Sequence, residues 1–282
     1  MRAFLAALAL LLIALGAYAE AADSRLDRIS QTKTIKVAHR TDAAPFSFVQ
    51  DNQPAGYTID ICKIVIASLE RRLNIQGLKT EWVPVTTQNR LDAIANGSAD
   101  MECGATTVTL GRMKQVDFSS LVFVQSTGLI TKLSSGVKGA RDLIGKKIAV
   151  ISGTTNEQAV NALNEGGQLK ITVVPVKDRS EGISYLESGA VDAFAGDKIL
   201  LAAAQYQKAQ ELVLLPDDLS IEPYAIVLPL GDWNFRLAVN AGLADMYRRS
   251  AVIPIYNKWL SNVGLEPGIL LDALFMLGAL PE

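Results

Sequence analysis

Residues 147–207 read KIAVISGTTNEQAVNALNEGGQLKITVVPVKDRSEGISYLESGAVDAFAGDKILLAAAQYQ. The apolar run at 147–151 predicts a strand, Ser152-Gly153-Thr154-Thr155 a turn, and the apolar spacing at 156–164 a helix. The pattern repeats with a strand at 171–175, a helix at 180–188, a strand at 190–195 and a helix at 197–207. Strands that alternate with helices in this way imply a parallel sheet covered by helices.

An earlier stretch has the same alternation. Strands are predicted at 34–38, 79–85 and 100–103, and helices at 59–73 and 89–96, the second stopped at Gly97. Residues 46–49 and 56–58 flank a turn at Asp51-Asn52-Gln53-Pro54. Two such cycles imply two α/β lobes. The extended apolar runs 121–132 and 219–230 lie between the cycles and are read as crossings from one lobe to the other, the alternative being two ordinary strands of one large sheet. This gives lobe 1 at 26–126 and 227–282 and lobe 2 at 127–226. A two-stranded hinge with a cleft between the lobes suits closure around a small molecule.

The segment 102–112, ECGATTVTLGR, sets small residues and three hydroxyls just ahead of Arg112. A carboxylate is gripped well by such a group: a planar guanidinium fork, short hydrogen bonds from threonine, and no bulky side chain in the way. It reads as a pocket.

Composition sets further bounds. The 282 residues are 49% hydrophobic and 20% charged with a net charge of -2, which describes a globular chain of about two domains with no basic excess for nucleic acid. Residues 1–19 run from Arg2 through an apolar block to Ala17-Tyr18-Ala19, the pattern of a cleaved signal peptide, and the block is too short for a bilayer span. The product is therefore expected to be exported, and no cysteine at the cleavage point indicates a lipid anchor. The tail 267–280 is apolar but interrupted by Asp272 and is expected to pack as a helix on lobe 1. Cys62 and Cys103 are compatible with one disulfide or with two buried thiols. With His39 as the single histidine, no donor set for zinc or iron can be assembled. No metal and no cofactor is expected, and His39 itself reads as a packing residue.

Taken in order, the motifs resemble those of periplasmic solute-binding proteins for polar amino acids, and most of all the glutamate/aspartate-binding branch that serves an ABC importer. The resemblance is carried by His39-Arg40, Pro45-Phe46-Ser47-Phe48, Gly56-Tyr57 with Asp60, and Thr87-Gln88-Asn89-Arg90. It continues through Asn96-Gly97, Glu102 to Thr107, Arg112, Phe118-Ser119, Ser152 to Thr155, Lys177-Asp178, Leu186-Glu187-Ser188-Gly189 and Asp197. The implied fold is the type 2 periplasmic-binding-protein fold, and the implied product is a monomer that hands its ligand to a permease and ATPase at the membrane.

The resemblance also implies roles. Arg112 would clamp the α-carboxylate of the ligand, helped by Thr107 and by the helix start at Thr154 and Thr155, where the dipole favours an anion. Asp197, with the carbonyl of Ala105, would receive the α-ammonium, unless its side chain caps its own helix. Arg40, Arg90 and Thr87 would hold a second carboxylate. Three arginines against Asp197 suit L-glutamate or L-aspartate, with glutamine the nearest competitor, because a neutral ligand leaves buried charge unpaired. Arg179 stands where the branch generally carries histidine, which bears on the preference between the two acids. Some exported cyclohexadienyl or arogenate dehydratases resemble the same family, and in that alternative Glu102 or Asp197 would serve as general acid.

Overall fold

The computed structural model describes residues 24–165, 170–261 and 267–281, so the expected signal peptide lies outside the described residues. Helix α1 (Arg25–Thr32) leads into strand β1 (Thr34–Arg40), whose Ile35 and Val37 are fully buried. A small hairpin sheet follows: β2 (Asp42–Ala43), β3 (Ser47–Gln50) and β4 (Gln53–Ala55). The sequence reading placed the last of these three residues late. Asp51 and Asn52 both take positive φ, 52° and 59°, and so close a two-residue turn, leaving Gln53 and Pro54 to the returning strand. Gly56, at φ 130°, then starts helix α2 (Tyr57–Arg72); a Cβ there would lie 2.3 Å from the carbonyl oxygen of Phe46, so only glycine fits.

Strand β5 (Lys79–Val85) pairs in parallel with β1, and helix α3 (Arg90–Ala95) leads to the short β6 (Met101–Glu102) on the other side of β1. The long strand β7 (Val116–Lys132) then carries the chain across. Beyond it come β8 (Lys147–Ile151), α4 (Thr155–Glu165), β9 (Thr172–Val176), α5 (Arg179–Ser188), β10 (Ala193–Asp197), α6 (Lys198–Gln207) and β11 (Leu212–Leu214). Strand β12 (Ser220–Pro229) returns antiparallel to β7, and helices α7 (Trp233–Arg248), α8 (Val252–Trp259) and α9 (Ile269–Gly278) complete the described chain. Asp197 closes β10 instead of opening the helix, because its backbone still pairs with Thr127.

Ladder hydrogen bonding runs continuously in the order β5-β1-β6-β12-β7-β10-β8-β9, with β11 on β7. The two crossing strands are therefore also the centre of one nine-stranded sheet. Their pairing is irregular around Tyr224, Ala225 and Val227, where the register shifts. Irregular pairing of this kind bends a strand and increases its twist.

The cores divide on either side of the crossing. One cluster joins β1, α2, α7 and α8 around Val37, Val65, Phe123, Tyr224 and Val239, with Leu271 and Phe275 of α9 packed onto it. A smaller one beneath α3 contains Ala38, Ile94, Val116 and Val227. On the far side, Leu129, Val150, Val160 and Ala195 form one cluster, and Ile130, Leu186, Phe194 and Leu201 another. Phe46 meets Phe123 and Tyr224 edge-on at 4.8 and 5.3 Å, and the Tyr57 hydroxyl donates to the Val122 carbonyl at 3.0 Å. These contacts fasten the near ends of both crossing strands to the first core. Cys62 of α2 and Cys103 form a disulfide with Cα atoms 6.4 Å apart, which ties α2 to the segment entering the pocket motif. Among the described residues, no helix is long and apolar enough to cross a membrane.

Candidate functional site

The parallel strands deliver their C-terminal ends to one place, as open α/β sheets do. Arg40 ends β1 and Arg90 opens α3, while Ala105 and Thr107 follow β6; Thr154 and Thr155 begin α4, Arg179 begins α5, and Asp197 ends β10. With Thr87, these residues line a single cavity of about 480 Å³ including its mouth, closed by Ile151, Asn156, Phe194, Ala195, Gly196 and Leu200. Arg112 is not part of the lining; its Nη1 donates to the Thr107 carbonyl at 2.7 Å, so it stands against the cleft through Thr107.

The cationic side is deeply set. Arg40 and Arg90 are 5% and 4% exposed. Arg40 donates from Nε to Asp42 at 2.9 Å, and its Nη2 lies 2.6 Å from the same oxygen. Arg90 donates from Nη1 to the Ala105 carbonyl at 2.9 Å, while its buried Nε has no hydrogen-bond partner among the described residues. Burial lowers the Arg90 guanidinium to about 10, Glu102 working against the shift, so it stays charged at neutral pH. Arg179 reaches across the cleft and donates to the Asp42 carbonyl. The Gln88 amide likewise donates to the Lys177 carbonyl at 3.0 Å, so the two sides meet at the mouth.

On the anionic side, Asp197 occupies the N-cap position of α6, but its side chain makes no cap hydrogen bond. Oδ1 accepts instead from Asn156 Nδ2 at 2.8 Å and from Gln125 Nε2 at 3.3 Å. The carboxylate is thus turned to the cleft and not spent on its own helix. Burial raises its pKa; the Tyr224 hydroxyl, close by without completing a hydrogen bond, opposes the shift.

Two carboxylates enlarge the charge count made from sequence, which set Asp197 alone against the arginines. Glu102 is fully buried, accepts from Thr106 Oγ1 at 2.9 Å, and leaves Oε1 without a partner among the described residues. Burial raises its pKa, and Arg90, Arg40 and Arg112 pull it back. Gly104 covers it so closely that a Cβ would lie 1.9 Å from Oε1. Glu222, on β12, accepts from Thr107 and Thr155 at 2.6 and 2.7 Å. Its signal in the sequence was a single acid inside the apolar crossing run, which the reading passed over. Asn156, also unassigned, directly follows the two threonines that were chosen.

Thr154 caps α4: its hydroxyl accepts from the Glu157 amide at 3.2 Å and donates to the Ile151 carbonyl at 2.6 Å. His39 is 5% exposed, with Nδ1 3.1 Å from the Arg40 carbonyl oxygen and its ring edge-on to Trp82 at 5.9 Å. Burial lowers its pKa. It lies outside the cavity lining, on the same strand as Arg40, with its ring against Trp82 of β5. Among the described residues, no group of three or more histidine, cysteine or acidic side chains could hold a metal ion.

Two α/β lobes, a pair of crossing strands and a polar cleft fed from both sides define a binding protein of the type 2 periplasmic class. The family model of the bacterial extracellular solute-binding proteins, family 3, matches residues 35–262, and the chain belongs to that family. It is 34% identical over 241 residues to an L-glutamate/L-aspartate-binding protein of Pseudomonas aeruginosa, covering 84% of this chain and 80% of that one. A glutamate/aspartate import solute-binding protein of Salmonella typhimurium is also 34% identical, over 86% of this chain and 82% of its own. Among solved structures, an ancestral amino acid-binding protein described as a precursor of cyclohexadienyl dehydratase superimposes with a TM-score of 0.72 at 29% identity, over 84% of this chain and 99% of that one.

Proposed function

We propose that this protein captures an acidic amino acid, L-glutamate or L-aspartate, in the cleft and presents it in the periplasm to the permease and ATPase of an ABC importer. The observation that carries this reading is the convergence of Arg40, Arg90 and Arg179 with Asp197 in one cavity, reached from both sides of the crossing strands. The similarity to two glutamate/aspartate-binding proteins supports the same ligand class.

In this reading Arg40, Arg90 and Thr87 take the side-chain carboxylate, and the unpartnered Nε of Arg90 gains an acceptor. Asp197 takes the ammonium. Thr107 joins it on that side, because its hydroxyl hydrogen goes to Glu222 and only oxygen lone pairs remain for the cleft. The Ala105 carbonyl retains a second lone pair beyond the one Arg90 uses. Arg112, outside the lining and bonded through Nη1 to the Thr107 carbonyl, adds positive charge behind the α-carboxylate, which the start of α4 receives. Arg179 adds positive charge and shortens the space left for the longer ligand. The protein acts as a monomer, without a cofactor and without a covalent step.

The lobes are assigned as 26–126 with 227–282, and 127–226; the packing of Tyr224 and Ile226 in the first core favours a return crossing slightly ahead of Tyr224. For the dehydratase alternative, Glu102 is absent from the cavity lining and covered by Gly104, which leaves Asp197 as its candidate acid. Incubation of the purified mature chain with prephenate and with L-glutamate separates the two: binding of glutamate with prephenate left intact supports transport, and conversion of prephenate supports the enzyme.

A further inference from the structure

Strand β12 brings one carboxylate, that of Glu222, to a point where hydroxyls from four segments meet. The side chain is 1% exposed. Thr107 Oγ1 donates to Oε2 at 2.6 Å and Thr155 Oγ1 donates to the same oxygen at 2.7 Å. Oε1 receives Ser220 Oγ at 2.6 Å and Thr127 Oγ1 at 3.0 Å. Ser220 and Thr127 belong to the crossing strands themselves, so that pair fixes the carboxylate to the hinge. Thr107 follows β6 on one side of the cleft, and Thr155 is the first residue of α4 on the other. The two threonine oxygens are 3.5 Å apart, and each hydroxyl has a single hydrogen. Both give it to Glu222, so the bridge from one lobe to the other runs through the hinge carboxylate.

We propose that Glu222 is an interlobe latch: a positioning residue on the hinge that grips one threonine from each lobe and favours the closed cleft before ligand arrives. Opening separates Thr107 from Thr155 and must break at least one of two short bonds to a carboxylate, which are stronger than bonds between neutral groups. The latch also fixes which way the two hydroxyls point, and so sets what they offer the ligand. This second consequence rests on the reading of the cleft as an amino-acid site; the first does not.

The test uses the full mature chain and the variants Thr155→Val, Thr155→Ser and Glu222→Gln. Valine keeps the shape of threonine without its hydroxyl, serine keeps the hydroxyl, and glutamine keeps the volume of glutamate but cannot accept from all four donors. Small-angle X-ray scattering of ligand-free protein is expected to show a larger radius of gyration for T155V and E222Q than for wild type, with T155S unchanged. Affinities for L-glutamate, L-aspartate and L-glutamine are expected to weaken together by about tenfold in T155V, the loss of one charge-assisted hydrogen bond, with their ratios preserved. In the T155V/E222Q double variant the second change adds little, because both remove the same bridge. Ligand-free scattering of T155V and E222Q that superimposes on wild type overturns the latch. A change in acid-to-amide selectivity without a change in scattering also overturns it, by making Glu222 a ligand contact. If the wild type binds no amino acid, the functional reading fails while the ligand-free scattering still decides the latch.

Discussion

Replacing Arg90 with alanine isolates the claim that the cleft is built for a second carboxylate. Arg90 is 4% exposed and opens α3, with one nitrogen on the Ala105 carbonyl and Nε unpartnered. With glutamate bound, R90A leaves the side-chain carboxylate buried beside an empty volume. Breaking a buried ion pair by removing one partner costs about 3 kcal/mol at the low end, somewhat over a hundredfold in Kd. Glutamine presents an amide oxygen at the same place, and losing a neutral hydrogen bond costs about 1 kcal/mol, about fivefold. The glutamate-to-glutamine preference should therefore fall by about thirtyfold. Isothermal titration of wild type and R90A with both ligands gives the ratio. A thermal melt alongside checks the fold, because Glu102 loses its foremost counter-charge in the same variant. Equal weakening of both ligands would refute the assignment of Arg90 to the side-chain carboxylate.

Further outcomes follow from the same geometry. Gly104→Ala pushes a methyl group into Glu102 Oε1 and should destabilise the fold by about 1–3 kcal/mol, read as a lower midpoint in denaturant. Removing the Cys62–Cys103 bridge, which spans a sequence separation of 41, with the C62A/C103A pair should cost about 3–4 kcal/mol in the same assay. Asp197 has its pKa raised above the usual 3.8 by burial, and a bound ammonium favours its ionised form, so capture should release protons and affinity should fall as pH drops through that raised value. Titrations in two buffers of different ionisation heat measure the release, and D197N should abolish it. Because folding raises the pKa of Asp197 and Glu102, their contribution to stability is present below the ordinary carboxylate range and is lost as pH rises through the folded-state values.

The fold was legible wherever local pattern and tertiary demand agreed. Strands at 79–85 and 147–151 fall where apolar periodicity put them: β8 buries Ile148, Ala149 and Val150, and β5, at the sheet edge, buries Val85 and half-buries Trp82 and Val83. The hairpin was misplaced because Asp51 and Asn52 look like generic turn residues, and only their shared positive φ selects the two-residue turn. The alternatives set for the crossing runs were not exclusive: β7 and β12 carry the chain across and are also central strands of the sheet.

Among the cations chosen from sequence, Arg40 and Arg90 stand at the ends of elements that a parallel fold must bring together and line the cavity, whereas Arg112 does not. The acids were less legible. Whether Asp197 caps a helix or faces a cleft depends on one side-chain rotation, decided here by Asn156 and Gln125. Glu222 was missed because periodicity treats a lone acid in a strand as an interruption, whereas its meaning comes from four hydroxyls, three of them distant in sequence.

Isothermal titration of the mature wild-type protein with L-glutamate and L-aspartate, L-glutamine serving as the neutral comparison, addresses the central claim most directly. The account predicts saturable one-to-one binding of at least one of the two acids, tighter than glutamine. Tighter binding of glutamine, or no heat with either acid, would contradict it.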